Sequence, residues 1–188
     1  IRNCDWSSDV CSSDLPQEAA GFPGGGRRGD RKPIAGFRNR IMARMDCLRS
    51  DDLTRTIYST DASEYQERPL AVALPQSESE VRDLVRHAAA NRIGLIPRGA
   101  GTSLAGQVVG GGIVVDMGRH LNRILSLDVE RRTVRVQPGV VRNELNRFLA
   151  PHGLFFGPET STAAWAMIGG MVGNNSCGSR SEEHTSEL

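Results

Sequence analysis

"PRGAGTSLAGQ", residues 97–107, is the stretch on which the fold turns. A short apolar run, "IGLIP" (93–97), leads into it, three glycines (110–112) follow, and no lysine lies near. A strand ending in Gly-Ala-Gly-Thr-Ser suits an anion. Residues without large side chains let backbone N–H groups approach phosphate oxygens, and Thr102 and Ser103 add hydroxyl donors. Two familiar phosphate loops do not match. "GTSLAGQV" (101–108) has nearly the mononucleotide spacing, but Gln107 stands where the lysine belongs and Val108 where a hydroxyl would meet magnesium. The dinucleotide fingerprint would need a glycine at Leu104 and a helix where "VVGGG" stands. A glycine-rich loop taken alone is as readily a turn as a ligand site.

Upstream, "LAVALP" (70–75) reads as a buried strand closed by Pro75. Ser77 with Glu80 forms a capping box for a helix ending near Asn91, with Val81, Leu84, Val85 and Ala88 on one face. The quoted loop therefore follows a strand–helix–strand unit. Downstream, "GGGIVVDM" predicts a buried strand, and "NRILSLD" with "RTVRVQPG" predicts a hairpin turning near Glu130 and Arg131. "VVRNELNRFLAPHG" predicts a short helix with Val141, Leu145, Phe148 and Leu149 on one face and Gly153 as its stop. Irregular alternation of strands and helices predicts an α+β domain, with parallel neighbours in the first unit. Residues 46–69 suggest short helical turns and loops.

The 188 residues carry a net charge of +1 with 38% hydrophobic and 24% charged residues, a soluble, globular balance that calls for neither nucleic acid nor membrane. No apolar run approaches the ~20 residues of a spanning helix. The expected compartment is the cytoplasm or, for a full-length parent, the inner-membrane surface as a peripheral protein. Lys32 is the single lysine among 23 basic residues, a bias expected of a GC-rich coding sequence.

Both ends stand apart from the rest. "RSEEHTSEL" (180–188) back-translates to AGATCGGAAGAGCACACGTCTGAACTC, whose reverse complement encodes "SSDVCSSDL" (7–15) in one frame. A DNA adapter ligated to both ends of a fragment produces that relation. Residues 1–15 and 180–188 are therefore expected to be adapter-derived, residues 16–44 a disordered or upstream-translated segment rich in Gly, Pro and Arg, and residues 45–179 an incomplete domain. Setting the ends aside leaves Cys47 and Cys177, too few for a disulfide framework or metal cluster.

A second stretch, "PETSTAAWAMIGGMVGNNSCG" (158–178), concentrates small residues and amides that can line a long, polar-edged ligand. Together, "PRGAGTSLAGQ", "VRVQPGV", "FFGPETST" and "IGGMVGNNSCG", in this order, resemble the PCMH-type FAD-binding domain of the vanillyl-alcohol oxidase superfamily. The likeness is greatest to its D-lactate dehydrogenase and glycolate oxidase branch and covers about residues 58–179.

The resemblance implies non-covalent FAD, because Thr102 stands where relatives with covalent flavin carry a histidine. It implies that backbone amides of Arg98, Gly99, Ala100, Gly101, Thr102 and Ser103 hold the pyrophosphate, with Gln107 nearby, and that Pro138 and Gly139 line the cofactor. Pro158, Glu159, Thr160 and Ser161, then Ile168, Gly169, Gly170, Gly173, Asn174, Ser176 and Gly178, would run along pyrophosphate, ribityl chain and ring. Amide dipoles near the ring would favour the negative charge of reduced flavin.

The implied parent oxidises a D-2-hydroxy acid to the 2-keto acid, its electron acceptor unassigned. The rest of the domain, the substrate cap and any iron–sulfur cluster, which only a C-terminal part would hold, are expected beyond this chain. No residue here is assigned a catalytic role or a metal. His87, His120, His152 and His184 read as surface or capping residues, Trp165 and Met167 as core, and Cys177 as a small residue packed near flavin. Three other readings stay open: a non-catalytic nucleotide-binding module, a flavoprotein like UDP-N-acetylmuramate dehydrogenase, against which "GGMVGNNSCG" argues, and an inert fragment that cannot close its core.

Overall fold

Two β-structures carry the chain, and each is built on one of the apolar patterns described above. The computed structural model describes residues 45–176. The segments 1–15, 16–44 and 180–188, and with them Cys177, Gly178 and His184, lie outside the described residues.

The first structure is a four-stranded sheet of β1 (Leu48–Arg49), β2 (Ala71–Ala73), β3 (Leu95–Arg98) and β4 (Ile113–Asp116), in the order β1-β2-β4-β3. β1 is antiparallel to β2, while β4 runs parallel to both β2 and β3. The strand–helix–strand unit is present, but its strands are not neighbours. β4 lies between them, and this explains why Ile113, Val114 and Val115 are all buried: a central parallel strand has both faces covered. Pro97 is tolerated inside β3 because that strand is an edge, where a missing N–H costs no ladder bond.

Between β2 and β3 runs α2 (Glu78–Asn91), preceded in the chain by the short α1 (Asp52–Ile57). The capping box at α2 is real but shifted. The Ser77 hydroxyl accepts from Glu80 N at 3.3 Å, while Glu80 Oε2 reaches Gln76 N at 2.7 Å. Leu84 and Ala88 are buried as expected, whereas Val85 is exposed, so the buried stripe is narrower than the sequence pattern.

The second structure is the hairpin of β5 (Ile124–Asp128) and β6 (Thr133–Val136), joined to α3 (Arg142–Leu149), a 3-10 turn (Ala150–His152) and α4 (Ile168–Gly173). Its core is Val140, Leu145, Leu149, Ala166, Ile168 and Met171, with Ile124, Leu127, Val134 and Val136 packed against it. Strict alternation would put Ile124 and Leu127 on opposite faces. An irregularity between Ile124 and Ser126 turns both inward and leaves Leu125 exposed. Gly153 closes the 3-10 turn at φ +67°, the stop predicted there.

Two core expectations are corrected. Trp165 is 70% exposed, because it sits in the turn that precedes α4 rather than on an element with a buried face. Phe148 is also partly exposed, at 42%, and its ring centre lies 6.3 Å from that of His152.

Candidate functional site

β3 and β4 end in register at Arg98 and Asp116, and the glycine loop leaves from the carboxyl end of β3. In parallel sheets that edge is where ligands bind. Arg98 does not reach outward. Its Nη1 donates to Thr60 O at 2.7 Å, and its guanidinium lies 5.3 Å from the centre of the Tyr58 ring. Gly101 follows at φ +70°, its carbonyl accepting from Ala62 N at 3.0 Å. The Ser103 hydroxyl donates to Gln107 Oε1 at 2.6 Å, which closes the loop on itself. From Gly99 to Leu104, no backbone N–H donates to an acceptor among the described residues.

Glycines bring the distant segments together. A Cβ on Gly99 would lie 3.6 Å from Met167 Cβ and 3.9 Å from Gly170 Cα. One on Gly118 would meet Met167 Sδ at 2.5 Å, one on Gly139 would meet Gly118 Cα at 2.6 Å, and one on Gly169 would meet Pro138 Cβ at 2.5 Å. Backbone bonds lock the same contact: Gly169 N to Pro138 O at 2.8 Å and Ile168 N to Val140 O at 2.9 Å. Gly99, Gly118, Pro138–Gly139 and Ile168–Gly170 thus share one cluster around Met167, which the loop enters through Gly99.

The segment from Pro158 to Ser161 is held on the α3 side. Pro158 O accepts from Arg142 Nε at 3.2 Å, and Asn146 clamps the chain just before it by bonding both N and O of Phe156. Thr160 Oγ1 is buried without a partner among the described residues. The segment joins the cluster through Arg142 N to Ala166 O, 2.9 Å, and the Val141–Met167 bridge. Gly173, Asn174 and Ser176 form the exit of α4. Asn174 N bonds Gly170 O and Ser176 N bonds Met171 O, so their recorded contacts are with α4 itself. Gly178 lies outside the described residues.

Two titratable groups beside the loop are shifted. Burial, reinforced by the hydrogen bond from its hydroxyl to Asp116 Oδ2 at 2.5 Å, pushes the Tyr58 phenol up to about 12. For Asp61, burial works upward but is outweighed: the Ser63 hydroxyl and N–H, the Val108 N–H and the charge of Arg98 hold the carboxyl below its usual range. His120 and His152 are exposed, as expected, whereas His87 Nε2 is buried without a partner among the described residues.

Sequence reasoning missed Tyr58, Asp61, Asp116 and Gly118. One signal was available: Asp116 ends the apolar run "IVVD", the position from which a parallel strand presents a side chain at its carboxyl edge.

A family profile described as an FAD binding domain matches residues 69–187. The chain belongs to this family. A D-2-hydroxyglutarate dehydrogenase of Pseudomonas putida is 41% identical over 163 residues, covering 82% of this chain and 16% of that protein. The glycolate oxidase subunit GlcD of Bacillus subtilis is 37% identical, covering 67% of this chain and 27% of that protein. Among solved structures, an alkyldihydroxyacetonephosphate synthase superposes with a TM-score of 0.69 at 25% identity, over 81% of this chain and 31% of that one. The chain thus spans about one-sixth of the D-2-hydroxyglutarate dehydrogenase it matches.

The FAD-binding chain has residues that fit the cofactor. A dinucleotide pyrophosphate needs several N–H donors and no bulky side chains, and residues 99–103 offer N–H groups, unengaged among the described residues, on small residues. The unpartnered hydroxyl of Thr160 adds a buried polar group on the second segment. No helix among the described residues is long and apolar enough to cross a membrane.

Proposed function

We propose that this chain is the cofactor-binding portion of a flavin-dependent oxidoreductase that converts a D-2-hydroxy acid, of the D-lactate, glycolate or D-2-hydroxyglutarate type, to the 2-keto acid. The observation that carries this reading is the convergence of Gly99, Pro138–Gly139 and Ile168–Gly170 around Met167, at the start of a run of N–H groups, Gly99 to Leu104, unengaged among the described residues. The substrate class is supported by the D-2-hydroxyglutarate dehydrogenase and glycolate oxidase relatives.

When bound, FAD supplies a hydride acceptor at N5 for the substrate α-carbon. This chain's residues bind and orient it. The amides from Gly99 to Ser103 hold the pyrophosphate, with Gln107 steadying Ser103. Pro138 and Gly139 line the cofactor, with Gly139 packed on Gly118 and Gly169 on Pro138, and Gly170 leaves open space where a side chain would stand. Pro158 to Ser161 and α4 with its exit, through Gly173, Asn174 and Ser176, continue the lining; Gly178, assigned with them from the sequence, lies outside the described residues. Thr102 has no ring nitrogen, so FAD is held without a covalent bond. The residues that orient the hydroxy acid belong to a further domain of the parent, together with any iron–sulfur cluster. The proposed organisation keeps residues 45–179 as the partial domain and assigns 1–15 and 180–188 to adapter.

Expressed with its native downstream sequence, the protein is expected to purify yellow and to bleach with D-lactate or D-2-hydroxyglutarate but not with NADPH. A folded, colourless protein that takes up no FAD overturns the flavin reading. Bleaching by NADPH alone overturns the substrate class.

A further inference from the structure

The glycine loop closes its far end with its own Ser103–Gln107 bond, and the segment Tyr58–Tyr65 braces the rest. Four contacts tie this strap to the loop and to the strands beside it. Thr60 O accepts from Arg98 Nη1 at the loop's entry, and Ala62 N donates to Gly101 O at its left-handed turn. The Tyr65 ring lies against Gly106, so closely that a Cβ there would come 2.6 Å from Cδ2. Tyr58 reaches past the loop to Asp116 at the end of β4.

The strap is itself folded around one side chain. Asp61 Oδ1 accepts from Ser63 N at 2.8 Å and from the Ser63 hydroxyl, which turns the chain so that the adjacent Ala62 N–H faces Gly101.

Resting on the reading that residues 98–103 hold FAD, we infer that the Tyr58–Tyr65 strap is a positioning element for the glycine loop, and that Asp61 is its organising residue. Asp61 acts through Ala62 and Gly101. Without the turn at Asp61 the carbonyl of Gly101 loses its donor, the peptide is free to rotate, and the N–H groups that follow no longer converge.

The test compares the full chain with Asp61→Ala, Asp61→Asn and Tyr65→Ala for FAD affinity, melting temperature and, without FAD, amide hydrogen exchange at Ala62 and Ala105, whose N–H groups donate to Gly101 O and Ser103 Oγ. Asp61→Ala is expected to weaken FAD binding at least roughly tenfold, the order of a lost charge-assisted hydrogen bond, and to speed exchange at both amides. Asp61→Asn keeps one carbonyl acceptor and recovers part of the affinity. Tyr65→Ala removes an exposed ring and loosens the loop with little change in melting temperature. A structural role alone would lower the melting temperature and leave the affinity of the folded protein intact, which overturns the inference. Unchanged exchange at Ala62 and Ala105 for Asp61→Ala and Tyr65→Ala also overturns it, even if a variant binds no FAD. Failure of the unsubstituted chain to bind FAD, with the exchange difference present, overturns the flavin reading instead.

Discussion

Gly139 stacks on Gly118 with no room for a side chain: a Cβ on Gly139 would lie 2.6 Å from Gly118 Cα and 2.8 Å from Leu121 O. Both obstacles are backbone, so relief would require the 118–121 turn to move. Gly139→Ala is therefore expected to cost about 1–3 kcal/mol. Gly118→Ala meets only the flexible end of Met167 and should cost less, and Gly99→Ala, whose nearest neighbour is 3.6 Å away, should stay within ~0.5 kcal/mol. Denaturant unfolding of the three variants checks the order.

The Tyr58–Asp116 hydrogen bond predicts an alkaline limit on stability. Burial and this bond raise the phenol from 10.0 to about 12, so the folded state favours the neutral form. The contribution is complete below the unfolded value near 10 and is lost as pH rises through about 12. Tyr58→Phe should remove the transition in that window from a pH series of melting temperatures. It should also cost roughly 1.5–3 kcal/mol at neutral pH, because Asp116 loses a donor to a charged acceptor. An unchanged alkaline limit in the variant would refute the assignment.

Gly101 separates backbone strain from charge. At φ +70° any side chain is strained, and a Cβ would come 2.8 Å from Arg98 Nη2. Gly101→Ala should cost about 1–2 kcal/mol of stability and retain weakened FAD binding. Gly101→Asp adds a carboxylate where the pyrophosphate is proposed to lie and should abolish retention in equilibrium dialysis with FAD. Equal retention by the two variants would remove the loop from the site.

The local elements were legible because each carries its own stop. β2 and the run that became β3 are closed or interrupted by proline, α2 opens on Ser77 and Glu80, and the hairpin turns at polar residues. The order β1-β2-β4-β3 was not legible, because no local pattern says that β4 inserts between two strands joined by a helix. β1 has two residues, too few for any period. In the site, glycines marked the loop, but the strap residues Tyr58, Asp61 and Tyr65 look like ordinary polar loop sequence. Their role exists only through contacts with Arg98, Gly101 and Gly106 that the chain makes after folding.

Trp165 and Leu149 show the same limit in the core. By size alone Trp165 looks like a core residue, yet it is 70% exposed, while Leu149 is fully buried in the hairpin–helix core. Leu149→Ala is expected to cost about 2–5 kcal/mol, whereas Trp165→Ser should stay within ~0.5 kcal/mol. If Trp165→Ser is the more damaging in thermal melts, the placement of the 161–165 turn is wrong.

The end of α2 offers a gain rather than a loss. Arg92 caps the helix in the left-handed conformation at φ 53°, with its N–H bonded to Ala89 O at 3.3 Å. A residue with a Cβ pays for that conformation, and glycine does not. The side chain is exposed and forms no ion pair recorded among the described residues, so replacing it sacrifices no packing. Glycine also loosens the unfolded chain, which offsets part of the benefit. Arg92→Gly is therefore expected to stabilise the domain by roughly 0.5–1 kcal/mol, read as a higher unfolding midpoint at unchanged denaturant slope. A lower midpoint would mean that the helix does not end at Asn91 in a left-handed cap, and the path from α2 into β3 would need to be redrawn.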